Sequence, residues 1–289
     1  MIGKTRHSPL QDASVATRST DADVGPARGI LRRKLAGGPF WHARHAPAPE
    51  LRDIVEHFWS VAWDLRGQPA QIQETLPHPN VHIVIEQDRS RVVGIHTGRF
   101  VRELAGQGRV FGIKFRVGGF YPFLHKPVAS LMNRTLAIEE VFGEAGAGLE
   151  TAVLAHSDDA SMMSVACAFL RSQPRAPDDK VEHVAAIVAG IVDDRALTSV
   201  DKLAERSGLG KRALQRLFRD YVGATPKWVI NRYRLHDAVE QLALGHSVGW
   251  ASIALELGYF DQAHFIRDFK KLVGRTPAEY ARAEAPAVG

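Results

Sequence analysis

The sequence predicts two domains, an α+β half followed by an all-α half. Three observations carry this. Short β-branched runs separated by turn residues fill residues 81–117, helical spacing takes over at 127–172, and the last third repeats itself on one helical plan. A chain of 289 residues has room for both domains.

Residues 1–29 hold Ser, Thr, Ala and Asp with little to bury, and are expected to form a disordered tail without a secretion signal. The α+β domain is expected over residues 30–172, with order starting near Phe40-Trp41. Glu50 to Trp59 places Leu51, Ile54, Val55, Phe58 and Trp59 at helical spacing and predicts a helix. Strands are expected at Val81–Ile85, Arg91–Ile95 and Val110–Val117, the last alternating through Phe111, Ile113, Phe115 and Val117. Together they predict a sandwich-like or barrel-like sheet. Helices should follow around Leu149, Val153 and Leu154 and around Val165, Phe169 and Leu170. Residues 173–180, with Pro174 and Pro177, read as a linker, and 181–289 as the helical domain.

Composition narrows the function. Hydrophobic residues make up 45% and charged residues 24%, as in a folded globular chain, and no apolar run is long enough to span a membrane. The one cysteine, Cys167, lies on an apolar stretch and reads as buried and inert; a lone thiol suits a reducing compartment, hence a cytoplasmic protein. Net charge is only +5, yet residues 206–234 hold eight basic residues and one acid, Asp220. Such clustering is the footprint of a phosphate-facing surface.

The repeat sharpens that footprint. Residues 203–226 read LAERSGLGKRALQRLFRDYVGATP and residues 253–277 read IALELGYFDQAHFIRDFKKLVGRTP. Gly208 matches Gly258 at an offset of 50, while Phe218, Gly223 and Pro226 match Phe269, Gly274 and Pro277 at an offset of 51, so the second turn holds one extra residue. Each copy is laid out as helix, tight turn, helix: about 198–222 and about 248–273. In the first, Leu214, Leu217, Phe218 and Tyr221 form the buried stripe and leave Arg212, Gln215, Arg216 and Arg219 outward. In the second, Phe265, Phe269 and Leu272 leave Gln262, Ala263, His264, Arg267, Lys270 and Lys271 outward. Arg and Gln pair bidentately with guanine and adenine edges in the major groove. Thr225-Pro226 and Thr276-Pro277 read as helix starts, the first opening a spacer helix that stops near Gly245.

On Leu203-Ala204, Gly208-Leu209, Leu214-Gln215-Arg216-Leu217-Phe218, Gly223-x-x-Pro226, Leu257-Gly258-Tyr259, His264-Phe265-x-Arg267-x-Phe269-Lys270 and Gly274-x-Thr276-Pro277-x-x-Tyr280, residues 185–282 resemble the DNA-binding domain of the AraC/XylS family of bacterial transcription regulators. The resemblance implies two helix-turn-helix units in one chain, with second helices entering adjacent major grooves of double-stranded DNA. It implies base contacts from Arg212, Gln215, Arg216, Gln262, Ala263, His264 and Arg267. Lys211, Arg219, Lys227, Lys270 and Lys271 are then the expected phosphate contacts. RNA polymerase is an expected partner of such an activator, bound at the nucleoid. Two departures stand out: Gly210 replaces the usual polar cap of the first recognition helix, and Ile266 stands where a polar residue is common.

Residues 73–125, with Thr75-Leu76-Pro77 and Gly112–Leu124, then Leu131-x-Asn133-Arg134-Thr135 and Glu139–Gly143, are similar to a domain of unassigned function found ahead of such DNA-binding domains. It implies a sensor for a small-molecule effector or a homodimerisation module. Trp59, Trp63, Phe115 and Phe120 are the candidate ligand pocket. The alternative is a cupin-like metal-dependent enzyme fused to the regulator, resting on His78, His82 and His96; Pro79-Asn80 between the first two favours a turn and ordinary histidines. His42 and His45 are weaker still, and Gly118-Gly119 lacks the rest of a dinucleotide fingerprint. The pairs Asp158-Asp159, Asp178-Asp179 and Asp193-Asp194 read as solvated or capping residues. No catalytic residue, metal or cofactor is expected.

Overall fold

A computed structural model describes residues 17–19, 24, 39–243 and 250–284. Most of the expected tail, Gly245 and the first two residues of the second repeat unit lie outside the described residues. The N-terminal half is sheet-rich and everything described after residue 173 is helical, as the sequence predicts.

The strands are β1 (Thr17–Ser19), β2 (Phe40–His45), β3 (Val55–Leu65), β4 (Gln71–Thr75), β5 (His82–Ile85), β6 (Arg91–Val93), β7 (Phe100–Leu104), β8 (Gly106–Phe115) and β9 (Thr135–Leu136). Seven form one sheet in the order β1-β2-β3-β8-β5-β6-β9, and β4 pairs with β7 separately. All pairings are antiparallel except β1 with β2, which run parallel. Thr17–Ser19 pairs with His42–Arg44, which corrects the expectation that all of 1–29 lacks structure.

The expected helix over Glu50–Trp59 is a strand. Pro49 opens a single 3-10 turn to Leu51, and β3 then runs for eleven residues between β2 and β8. A register shift between Val55 and His57 explains the misleading spacing. A bulge inserts one residue, so Val55 and Phe58 both turn inward three positions apart.

Strand alternation gives the sheet two faces. Phe58, Ile83, Ile85, Phe111, Ile113 and Phe115 lie in the main core, beneath the helices that follow. These are α1 (Tyr121–Leu124), α2 (Glu139–Phe142), α3 (Glu144–Ala147), α4 (Leu149–Leu154), α5 (Asp159–Ser172) and α6 (Asp179–Asp193). Trp59, Val61, Trp63, Val84 and Val110 form a smaller cluster on the opposite face. There Trp59 lies over Gly112, its register partner, so closely that a Cβ on Gly112 would fall 2.0 Å from the indole.

The expected linker is laid against the sheet half: Gln173 is buried, and Arg175 binds the Asp53 carboxylate at 2.5 Å and the Glu50 carbonyl at 3.1 Å. Beyond α6 come α7 (Val200–Ser207), α8 (Lys211–Leu217), α9 (Pro226–Ala243), α10 (Trp250–Glu256), α11 (Gln262–Val273) and α12 (Pro277–Glu284). The main core continues through Val184 and Ile191 of α6 into Leu203, Leu214, Phe218, Val229 and Ile230. A second core gathers Leu235, Ala238, Val239 and Leu242 of α9 with Ile253, Phe265, Phe269 and Tyr280.

Candidate nucleic-acid interface

Each repeat folds as its spacing requires. Gly208 and Gly258 take left-handed φ of 65° and 75° and end α7 and α10. The closing bonds are the same in both: Gly208 N–H to the Glu205 carbonyl and Leu209 N–H to Ala204, Gly258 N–H to Leu255 and Tyr259 N–H to Ala254. This pair of hydrogen bonds satisfies carbonyls the helix leaves open and turns the chain sharply. At the far end Gly223 and Gly274 repeat the pattern, with φ of 81° and 84°. The first recognition helix runs on from α8 through a π-turn at Phe218–Val222 to reach Gly223.

The buried stripes are Leu214, Phe218 and Tyr221 in the first unit and Phe265, Phe269 and Leu272 in the second. Leu217 is half-buried. Every expected base-reading residue is exposed: Arg212, Gln215 and Arg216 on α8, and Gln262, Ala263, His264 and Arg267 on α11. Ile266 is half-buried and packs against the second core. The expected phosphate contacts Lys211, Arg219, Lys227, Lys270 and Lys271 are exposed as well. Lys211 pairs with Asp201 at 2.5 Å and Arg219 with Asp220 at 2.8 Å. Exposed pairs of this kind hold weakly, so a phosphate can replace the carboxylate.

The helix starts differ. Gly210 precedes α8 with no side-chain cap, as its lack of a side chain predicts. Asp261 caps α11, its carboxylate accepting the His264 N–H at 2.7 Å. Sequence reading did not single out Asp261; an Asp one residue before an apolar-periodic stretch was the available signal. Thr225 caps α9 through the Trp228 N–H, with Pro226 at the first helical position. Thr276 and Glu279 exchange bonds at the start of α12, a capping box.

Two of the eight clustered cations do not belong to the surface. Arg234 is 1% exposed and donates to the carbonyls of Ile191, Asp194 and Leu197, with Asp237 at 3.1 Å. Arg232 is 4% exposed, stacks 4.5 Å over Trp228 and donates to the Thr97 carbonyl at 2.7 Å. Burial pulls its pKa down to about 10. Both tie α9 to neighbouring segments, so the phosphate-facing charge is smaller than the sequence tally.

Both units touch the sheet half. Tyr221 donates to Asp178, and its ring lies 4.1 Å from that of Tyr121. Gly223 seats against Ile95 and Val128. Arg99 donates to the Val273 carbonyl at 2.9 Å, Glu74 binds Arg275 at 3.1 Å, and His236 reaches the Pro77 carbonyl at 3.3 Å.

The expected ligand pocket does not assemble. Phe115 and Phe120 pack edge to face at 4.9 Å in the main core, both essentially inaccessible. Trp59 and Trp63 lie across the sheet from them, because strand alternation sends them to the other face. Trp63 borders an open groove of about 690 Å³ walled by Glu86, Asp88, Arg89, Arg102 and Glu103. The histidines of the enzyme alternative also part company. His78 packs on His236 at 4.4 Å, while His82 lies on β5 in register with Lys114 and His57. Among the described residues no three His, Cys, Asp or Glu side chains gather to hold a metal ion. His82 is pushed down to about 3 and His42 to about 4, by burial first and then by nearby cations and His57. Cys167 is buried, which raises its thiol pKa.

The acid pairs are structural. Asp158 caps α5 through the Ser161 N–H, Asp178 caps α6 through the Lys180 N–H, and Asp194 pairs with Arg206 at 2.5 Å. Asp159 is the exception to a solvated role: it accepts from Ser60 of β3 and binds His45 of β2, both at 2.7 Å. No helix among the described residues is long and apolar enough to cross a membrane.

Known proteins resemble this chain in both halves. Residues 203–283 match the helix-turn-helix domain family and residues 43–137 match a domain of unknown function, DUF6597. The "Probable transcription factor PqrA" of Proteus vulgaris is 37% identical over 81 residues, 28% of this chain and 66% of that protein, just short of two thirds of its length. The regulatory protein SoxS of Escherichia coli K12 is 35% identical over 82 residues, 28% of this chain and 76% of SoxS. Among solved structures, an AraC-type transcriptional regulator from Chromobacterium violaceum aligns over 38% of this chain and 95% of that one, at 28% identity and a TM-score of 0.31. The chain belongs to the AraC/XylS family of transcription regulators, with a DUF6597 domain ahead of its DNA-binding helix-turn-helix region.

Proposed function

We propose that this regulator reads an asymmetric DNA site by inserting α8 and α11 into successive major grooves, about one helical turn or 34 Å apart. The observation that carries this is the doubled unit, with all seven expected base-reading side chains on exposed helix faces. Arg212, Gln215 and Arg216 read one half of the site; Gln262, Ala263, His264 and Arg267 read the other. Lys211, Arg219, Lys227, Lys270 and Lys271 neutralise phosphates and set most of the affinity. RNA polymerase is the partner through which a bound activator acts.

Control enters through the sheet half, by a small molecule or by self-association. The support is physical continuity: the first unit shares the main core, Arg99 and Glu74 bond Val273 and Arg275 at the end of the second, and Pro77 bonds His236 of the α9 spacer between them. A shift in the sheet half would therefore move both recognition helices. An enzyme role is not favoured. The relatives are regulators, and the candidate ligand histidines lie apart.

Selection from a random duplex library with the purified full chain tests this. A consensus in two blocks about one turn apart is expected. Recovery of no consensus, or of a perfect palindrome read by one unit per chain, counts against it.

A further inference from the structure

The second turn holds one residue more than the first, and the structure shows which one. Both turns match from the helix-ending glycine to the next residue, Leu209 or Tyr259, which makes the same backbone bond and packs inward. Both match again from the cap onward, since Gly210 and Asp261 each stand eight residues before the matched Phe218 and Phe269. Phe260 is therefore the inserted residue. Its side chain is 96% exposed, the most exposed large hydrophobic among the described residues, ahead of Leu255 at 76% on the preceding helix.

Its position gives it a use. Phe260 directly precedes Asp261, the cap that fixes the first turn of α11. Gln262, Ala263 and His264 follow, all exposed. The first turn of a recognition helix is the part that meets base edges. An aromatic ring just ahead of that turn has one apolar partner in the major groove, the C5 methyl of thymine. The unit also carries less cationic surface at this end than the first: where α8 opens with Lys211 and Arg212, α11 opens with Gln262 and Ala263. Apolar contact suits that composition better than phosphate pairing does.

We propose that Phe260 is a base-reading residue of the second unit and selects thymine by packing its ring on the thymine methyl. This rests on the reading of α11 as a groove-inserting helix. The chain first selects its consensus from the random library. Each consensus thymine is then replaced singly by deoxyuridine, which removes only the methyl. For the unaltered chain, one replacement in the half-site of α11 should weaken binding about fourfold, the worth of one buried methyl-sized group. Phe260→Ala should bind the intact consensus more weakly, lose the response to that one replacement, and bind random DNA unchanged. Phe260→Leu should restore part of the response. The side chain is exposed, so the variants should melt like the parent. A consensus whose thymine methyls matter equally to the parent and to Phe260→Ala overturns the proposal and leaves the two-helix reading standing. So does Phe260→Ala that binds DNA normally but fails to activate transcription, which would assign the ring to a protein partner. Absence of any consensus removes the two-helix reading itself, and the proposal with it.

Discussion

The two helix-turn-helix units follow one backbone plan and differ in what holds them and in what they present. The first is built into the main core: Leu214 and Phe218 pack in the same apolar body as the sheet and α6. The second has a core of its own on α9, and reaches the sheet half through Leu76 and through polar bonds from Arg99 and Glu74, with His236 of α9 bonded to the Pro77 carbonyl beside it. Their surfaces differ too. Arg216 and Arg267 hold equivalent places, as do Arg219 and Lys270, but Lys211 and Arg212 of the first stand against Gln262 and Ala263 of the second. The lesson is a division of labour on a duplicated frame. One unit packs in the core it shares with the sheet and opens its second helix on two cations; the other packs in a separate core and opens its second helix on two neutral residues, Gln262 and Ala263.

The strongest way to break this comparison is to empty both cores at matched positions. Phe218→Ala and Phe269→Ala each remove a fully buried ring, at a cost of about 3–5 kcal/mol. Phe218→Ala should lower the melting of the sheet half and first unit together. Phe269→Ala should raise amide exchange across 235–242 and 250–280 while the main core around Phe111, Phe115 and Phe218 stays protected. Equal, global destabilisation by both would show that the two cores act as one.

Next in size are the matched arginines. Arg216→Ala and Arg267→Ala should each cost about 1–3 kcal/mol on the selected site and relax selectivity at different base pairs. Equal losses on specific and random DNA would deny both a base-reading role. Removing Lys227 should instead flatten the salt dependence of binding by about one unit of slope.

Acid sharpens the contrast in mounting. His82 and His42 are held neutral in the folded state, at about 3 and about 4 against an ordinary 6.5. Their stabilisation is fully present above pH 6.5 and is lost as the pH falls toward those values. By pH 5 the loss in the sheet half should be on the order of 2 kcal/mol for each of the two histidines. Amide exchange at Leu214 and Phe218 should follow it, through the shared core, before exchange at Phe265 and Phe269 does. His82→Asn should blunt the effect.

The smallest effects concern the helix starts. Asp261→Ala removes the cap of α11 and should cost about 1 kcal/mol, read as a lower melting temperature of the second unit. Gly210→Ser adds the missing cap to α8 and should gain a few tenths of a kcal/mol.

Much of this architecture was legible from periodic spacing. The turn glycines, the buried stripes and the exposed arginines of both units stand where their offsets place them, because helix period and turn chemistry are local properties. What failed depended on partners distant in sequence. The bulge that gives β3 a helix-like apolar spacing exists only because β8 lies beside it. Trp59 and Trp63 part from Phe115 and Phe120 because pairing register decides which way each ring turns. Arg232 and Arg234 count as surface charge in sequence, and only packing shows that they bond buried carbonyls. The extra residue of the second turn was legible as an offset; its full exposure was not.

The seating of Gly223 bears on how such regulators can be recombined. A methyl group there would come within 2.8 Å of Ile95 and 2.9 Å of Val128, so the joint between the halves is shaped to atomic tolerance. Splicing this reading head onto a foreign receiver would leave that seam raw, with greasy surface bared on both sides. Chimeras should become soluble only when the stretch around Ile95 and Val128 travels with the graft.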